Sequence, residues 1–328
     1  MSASDTLVSG NSTRKARLPR YVLISPARNE AAFIEKTIQS MVAQTYLPLR
    51  WVIVSDGSTD GTDEIVKQYL PNYPWMELVR MPERKERSFA GKVYAFNAGR
   101  QRVDDLDYEV IGNLDTDVSF GPDFFDFLMG KFTDNPQLGV AGTPFREGTR
   151  QYDYRRTSVE HVSGAVQMFR RECFQQIGGY RPIKTGGVDL VAVITARMKG
   201  WETRTFLERH YDHYRKMSSA NRNTWGIAFD AGRTDYTHGC DPVWEVFRCC
   251  YQMGHAPIVL GGSLCLLGYF WAAAIGEERV VSADLVRFRK IEQMRRLRDF
   301  FRQLLPHQQS SMADRHGPFT RAEADDSE

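Results

Sequence analysis

Cysteine is scarce in this chain: five in 328 residues, at Cys173, Cys240, Cys249, Cys250 and Cys265. The number is odd and no two form a C-x-x-C pair, so neither a disulfide framework nor a thiolate zinc site is indicated, and a reducing cytoplasm fits. No charge of one sign dominates. The formal net charge of +2 gives no global pull toward nucleic acid, and no nucleic-acid partner is expected. Residues 1–20 are rich in Ser, Thr, Lys and Arg and lack the continuous apolar stretch of a signal peptide, so they read as a disordered leader. Neither G-x-G-x-x-G nor G-x-x-x-x-G-K-[ST] occurs after the first apolar run, which removes the usual support for dinucleotide or P-loop phosphate binding.

What is present from Tyr21 onward is an alternation of short apolar runs with stretches of helical period, the pattern of βαβ units and a mostly parallel sheet. Strands are expected at Tyr21–Ser25, Trp51–Ser55, Glu77–Arg80, Glu109–Leu114 and Leu138–Gly142, with helices near Ala31–Gln44, Asp63–Tyr69 and Val93–Arg102. Beyond Gly148 a strand at Val162–Met168, a short helix near Arg171–Ile177, a helix over Leu190–Lys199 and a strand at Thr203–Leu207 complete a catalytic domain over 21–235. In such sheets ligands sit outside the carboxyl ends of the strands. Three polar clusters fall there: Pro26-Ala27-Arg28-Asn29-Glu30, Asp56-Gly57-Ser58 and Asp115-Thr116-Asp117.

Two carboxylates one residue apart at a strand end can both face a hard cation, and magnesium or manganese on oxygen ligands leaves room for substrate phosphates. The plain alternative for Asp115 and Asp117 is a solvated turn; their place at the end of an apolar strand favours the ion. Asp56-Gly57-Ser58-Thr59-Asp60-Gly61 begins like a calcium loop, but Lys67 stands at its twelfth position, where a bidentate Glu is needed. Asp56 can instead accept hydrogen bonds from a base or ribose, with Gly57 allowing close approach, while Asp60 is a candidate helix cap. Phosphate charge would then be met by a cation at Asp117 with help from Lys92 or Arg215.

Taken in order, Pro26-Ala27-Arg28-Asn29-Glu30, Val54-Ser55-Asp56-Gly57-Ser58-Thr59-Asp60-Gly61-Thr62, Gly91-Lys92 with Asn97, Asp115-Thr116-Asp117, and Ser163-Gly164 followed by Gly178-Gly179-Tyr180 make this chain similar to glycosyltransferase family 2. The resemblance covers roughly Tyr21 to His213. It implies a GT-A fold, an α/β Rossmann-like mixed sheet with helices on both faces, and inverting sugar transfer from a nucleotide-diphosphate donor with a divalent cation, Mg2+ or Mn2+. Pro26, Ala27, Arg28, Glu30 and Asp56 would line the base and ribose pocket, Lys92 and Arg215 the phosphates, and Asp115 the ribose side. Asp117 would ligate the metal, joined by His213. Family members carry a Glu-Asp pair before the next helix. Here the Glu position is Val188 and only Asp189 remains, as candidate general base or as a helix N-cap. No Q-x-x-R-W motif follows, so single-sugar transfer is expected rather than processive polymerisation.

A C-terminal extension is expected over 236–305. Its segment 256–275 has no charged side chain and is long enough for a membrane helix, but Pro257, Gly261, Gly262 and Gly268 interrupt it. After it, 281–305 spaces Leu285, Phe288, Ile291 and Met294 at helical period among Arg287, Arg289, Lys290, Arg295 and Arg296, a basic amphipathic helix suited to an anionic membrane surface. The expectation is peripheral or re-entrant attachment to the cytoplasmic face of the inner membrane, a lipid-linked or saccharide acceptor, and a disordered tail over 306–328. The alternatives are a sugar-nucleotide-binding pseudo-transferase that scaffolds a membrane assembly and, further off, a sugar nucleotidyltransferase.

Overall fold

A computed structural model describes residues 17–83, 89–148, 150–151, 158–215, 224–253 and 260–304. Most of the expected leader, all of the tail and residues 256–259 of the apolar segment lie outside the described residues. In chain order the elements are β1 (Tyr21–Ala27), α1 (Ile34–Val42), β2 (Arg50–Asp56), α2 (Thr62–Tyr69), β3 (Met76–Met81), α3 (Phe89–Arg100), β4 (Val110–Leu114), β5 (Val118–Phe120), α4 (Phe124–Asp134), β6 (Leu138–Gly142), β7 (Phe145–Glu147) and β8 (Arg150–Gln151). They continue as β9 (Val166–Arg170), α5 (Arg171–Gln176), α6 (Val188–Met198), β10 (Glu202–Thr205), β11 (Tyr211–His213), α7 (Thr224–Thr237), α8 (Pro242–Met253), α9 (Leu260–Ala274) and α10 (Ala283–Leu304).

The main sheet has seven strands in the order β10-β6-β9-β4-β1-β2-β3. Tyr21–Ile24 and Trp51–Val54 are fully buried, as strands covered by helices on both faces must be. β4, β1, β2 and β3 run parallel, and β10 runs parallel to β6. β9 alone is antiparallel to its neighbours, β4 and β6. This mixed sheet with helices on its faces is the expected architecture.

The strand expected at Val162–Met168 begins only at Val166. Upstream, side chains rather than a strand partner take the backbone carbonyls: Asn113 donates to Gly164 O and Gln167 to Val162 O. A second sheet, β5-β11-β7-β8, has strands too short for any periodicity to reveal. Helix α4 was not among the expected elements either, although Phe124, Phe125, Leu128, Met129 and Phe132 bury one helical face.

In the extension the glycines do not interrupt a helix. Gly261, Gly262 and Gly268 lie inside α9, and the last two are contact points. A Cβ on Gly268 would stand 2.0 Å from Phe229 O on α7, and one on Gly262 2.5 Å from Cys249 O on α8. Backbone approach of this kind requires glycine. At 15 residues α9 is about 22 Å long, short of a bilayer core, and no helix among the described residues is long and apolar enough to cross a membrane.

The helix expected at 281–305 forms as α10, but part of its basic face turns inward. Arg289 is buried and donates to His238 O, and Arg296 pairs with Glu160. Glu292, also buried, accepts both arms of Arg197 on α6. Leu285 and Phe288 pack on α6, while Ile291 stays 70% exposed. The extension is thus docked onto the sheet domain. All five cysteines are free.

Candidate active site

The rim is assembled by two loops that hydrogen-bond to each other before any ligand is considered. Asn29 adopts a left-handed backbone (φ 56°) and its side chain accepts from Thr59 N, while Ser58 Oγ accepts from Asn29 N. Glu30 N donates to Thr62 Oγ1, and Asp60 accepts from Ala31 N and Thr62 N. The cap position of α2 is Gly61, with Asp60 supporting the turn beside it. Asp56, last in β2, is buried, and Arg28 Nη1 lies 3.8 Å from its carboxylate. The room made by Gly57 is used by the chain itself rather than a ligand: a Cβ there would meet Glu83 Cα at 2.5 Å. Of the expected base and ribose residues, Ala27 is buried and Pro26 and Arg28 are part-exposed on the same rim.

Asp115-Thr116-Asp117 links β4 to β5. Asn113, which sequence reasoning missed, reaches from β4 to Asp115 Oδ1 at 3.0 Å while holding Gly164 O, and Asp115 N donates to Ala165 O. Lys92 Nζ, from the first turn of α3, sits 2.5 Å from Asp115 Oδ1. The antiparallel register His213↔Val118 brings β11 alongside the triplet. His213 Nε2 comes to 3.6 Å from Asp117 Oδ1, and Arg215 Nε to 3.7 Å from Oδ2. Arg215 is also clamped to Glu30 Oε2 at 2.6 Å. Behind His213, Glu147 lies 3.8 Å from Nδ1, a buried nitrogen without a hydrogen bond.

The electrostatics are acidic and strained. Burial, then the Asp115 carboxylate, push the Asp117 pKa up, while His213, Arg215 and Lys92 pull it down. Burial raises Glu30 to about 7 against the pull of Arg215, with Asp117, Asp115 and Asp60 adding to the rise. Carboxylates held this close in low dielectric favour an added positive charge. Asp117 and His213 offer an oxygen and a nitrogen to one point, a donor set that suits Mn2+ or Mg2+. Two other groupings, Glu245 with Cys249 and Cys265, and Asp235 with Cys240 and Glu245, also bring possible ligands together, in the extension. There Arg248 already binds Glu245 through Nε and Nη2 and reaches Asp235, so a guanidinium neutralises the carboxylates.

Asp189 faces this rim from the first turn of α6. The helix is capped by Gly187 in a left-handed conformation (φ 75°), so Asp189 is not its N-cap. Gly164 lies against Asp189, where a Cβ would be 2.8 Å from Oδ2. The charge of Asp189 acts on Lys92 and on His161. Burial lowers the pKa of His161, with Asp189 opposing, so a neutral imidazole neighbours the carboxylate. Sequence reasoning did not single out His161, which stands two residues before the Ser163-Gly164 pair.

The family model for glycosyl transferase family 2 matches residues 22–191. Over 130 residues, 40% of this chain, the sequence is 28% identical to the chondroitin synthase of Pasteurella multocida. Over 117 residues, 35% of the chain, it is 29% identical to the poly-beta-1,6-N-acetyl-D-glucosamine synthase of Staphylococcus epidermidis. The matched segments span only 12% and 26% of those relatives. Among solved structures, the mannosyltransferase PcManGT of Pyrobaculum calidifontis, in complex with GDP-Man and Mn2+, superposes with a TM-score of 0.53 at 18% identity over 88% of this chain and 83% of that one. S. aureus TarS 1-349, in complex with UDP-GlcNAc, gives 0.50 at 12% identity over 82% and 78%. These likenesses establish the GT-A fold. With just over half of its length matched by the family model, the chain belongs to glycosyl transferase family 2.

Proposed function

We propose that this protein is an inverting glycosyltransferase that moves a sugar from a nucleotide-diphosphate donor to a hydroxyl of a lipid-linked or saccharide acceptor, in the building of a cell-surface polysaccharide or glycolipid. The observation that carries the proposal is the convergence of Asp115, Asp117, Lys92, His213, Arg215 and Asp189 on one strand-end rim, from four separate stretches of chain. Asp56 and Arg28 face the base and ribose, with Asp115 toward the ribose. Lys92 and Arg215 balance the diphosphate. Asp117 and His213 would hold Mg2+ or Mn2+, which when bound stabilises negative charge growing on the leaving diphosphate. The GDP-Man and UDP-GlcNAc of the two solved complexes support the donor, and the Mn2+ in the mannosyltransferase complex supports the ion.

Asp189 accepts the proton of the acceptor hydroxyl as that oxygen bonds to the anomeric carbon and the bond from that carbon to the diphosphate breaks on the opposite face. One displacement inverts the centre. Membrane attachment is supported by the exposed side chains of α9, among them Leu260, Leu267, Phe270 and Trp271, on a helix without a charged residue. That face fits peripheral attachment to a membrane, on this reading the cytoplasmic leaflet.

Val188, in place of the usual Glu, favours a second reading in which the protein binds sugar nucleotide without turning it over. Two variants separate these. Asp117→Asn is expected to abolish Mn2+-dependent release of nucleoside diphosphate, and Asp189→Asn to keep donor affinity within about twofold while stopping transfer. Full activity in Asp117→Asn overturns the metal assignment, and no release by the unaltered protein from any of several sugar nucleotides, with lipid acceptors supplied, leaves the second reading standing.

A further inference from the structure

His238 closes the C-terminal end of α7, on the far side of the turn from which the base helix starts. It is 2% exposed. Its Nδ1 lies 2.6 Å from Thr234 O and its Nε2 3.0 Å from Gly186 O. Both oxygens are carbonyls and can only accept. A ring N–H at Nε2 donates to Gly186 O, and one at Nδ1 would donate to Thr234 O. The Thr237 hydroxyl lies 3.0 Å from Thr234 O and 3.3 Å from Nδ1.

Charged side chains gather at this end of α7. Asp235, on α7, is part-buried and within electrostatic reach of His238. Arg248 on α8 and Arg289 on α10 pair with Asp235, Glu245 pairs with Arg248, and Arg289 Nη1 also donates to His238 O at 2.7 Å. Asp189 stands two residues beyond Gly187 at the start of α6. Gly187 is shaped to the ring: its φ is 75°, and a Cβ would stand 2.5 Å from His238 Nε2.

We propose that His238 is a positioning residue for sugar transfer: its Nε2–H bond to Gly186 O fixes the Gly186-Gly187 turn, and through it the place of Asp189, making the C-terminal helices part of the catalytic scaffold. The proposal rests on Asp189 being the base. The lever is short, because Val191 N bonds to Gly187 O and the helix continues rigidly from the turn. An ångström of displacement at a reacting group is worth about a hundredfold in rate.

The two ring nitrogens allow a test that separates this role from capping α7. His238→Gln places its amide nitrogen near the Nε2 position and keeps the donor to Gly186. His238→Asn places it near Nδ1 and keeps only the donor to Thr234. Expected is a tenfold or greater fall in kcat for His238→Asn with donor KM within about twofold, and recovery to within about threefold of wild type in His238→Gln. If the residue only caps α7, the order reverses, with Asn the better replacement, and the proposal falls. It falls equally if both variants keep wild-type kcat. Full transfer by Asp189→Asn itself would instead remove the base assignment, a failure visible without any His238 variant.

Discussion

Glu30 bears the clearest titration cost on the rim. Its carboxylate is buried, and burial outweighs Arg215 to set its pKa at about 7 against 4.5 for the free side chain. Between those values the folded protein holds a proton that the unfolded chain has released, so stability falls as pH rises through the window. The effect is on the order of 2–3 kcal/mol across it. Thermal melts of metal-free protein should therefore show wild type losing more Tm between pH 5 and pH 7.5 than Glu30→Gln, which has no proton to lose. Parallel slopes would mean the proton is not on Glu30. At this scale sequence was informative where the chemistry is local. Asp56, Asp115 and Asp117 end buried strands, and their position alone marks them. Asn113, His161 and His238 were not legible, because their significance lies in contacts such as His238 to Gly186, between residues 52 apart. Arg215 shows a middle case: its basic character was visible, its clamp on Glu30 was not.

The helix pair α7 and α9 is held by close backbone contact rather than by large side chains. Gly232 meets Cys265 O and Gly268 meets Phe229 O, at 1.8 and 2.0 Å for a built Cβ. No rotamer change relieves a clash with a backbone oxygen, so the helices must separate. Gly268→Ala should cost about 3 kcal/mol. Gly130→Ala in α4, where a Cβ meets nothing within 4 Å, should gain about 0.5–1 kcal/mol from lost unfolded-state freedom. Denaturant unfolding of the two variants against wild type checks both signs, and a neutral Gly268→Ala would mean that the helices do not pack this closely. The central strands were readable because burial on both faces leaves continuous apolar runs. In α9 the same residues that announced an interruption are what the packing uses. Glycine weakens an isolated helix, and only tertiary contact shows when that cost is offset by a close neighbour. The three-residue strands β5, β7 and β11 carry too few side chains for any period.

On the scale of the whole molecule, the extension turns one side toward the sheet domain and leaves the other apolar. Inward, Arg289, Glu292 and Gln293 are buried, and Arg197 ties α6 to α10. Outward, Trp271 is 54% exposed and Leu267 57%, with Phe270 beside them. An inner side that mixes these charged groups with Leu285 and Phe288, and an outer face of α9 without charge, make sense together if the outer face meets lipid. In that case Arg287 and Lys290, exposed on α10 next to Asp284 and Asp241, would add attraction to anionic headgroups. Burying one large aromatic side chain contributes about 1.5–3 kcal/mol, a tenfold or larger change in partitioning. Phe270→Ser with Trp271→Ser should accordingly lower co-sedimentation with phosphatidylglycerol-containing vesicles at least tenfold. Release of nucleoside diphosphate with a soluble saccharide acceptor should stay near wild type, since neither residue touches the rim. A shared loss of vesicle binding and soluble turnover would point to misfolding of the extension. Unchanged vesicle binding would mean that the apolar face of α9 serves something other than a membrane.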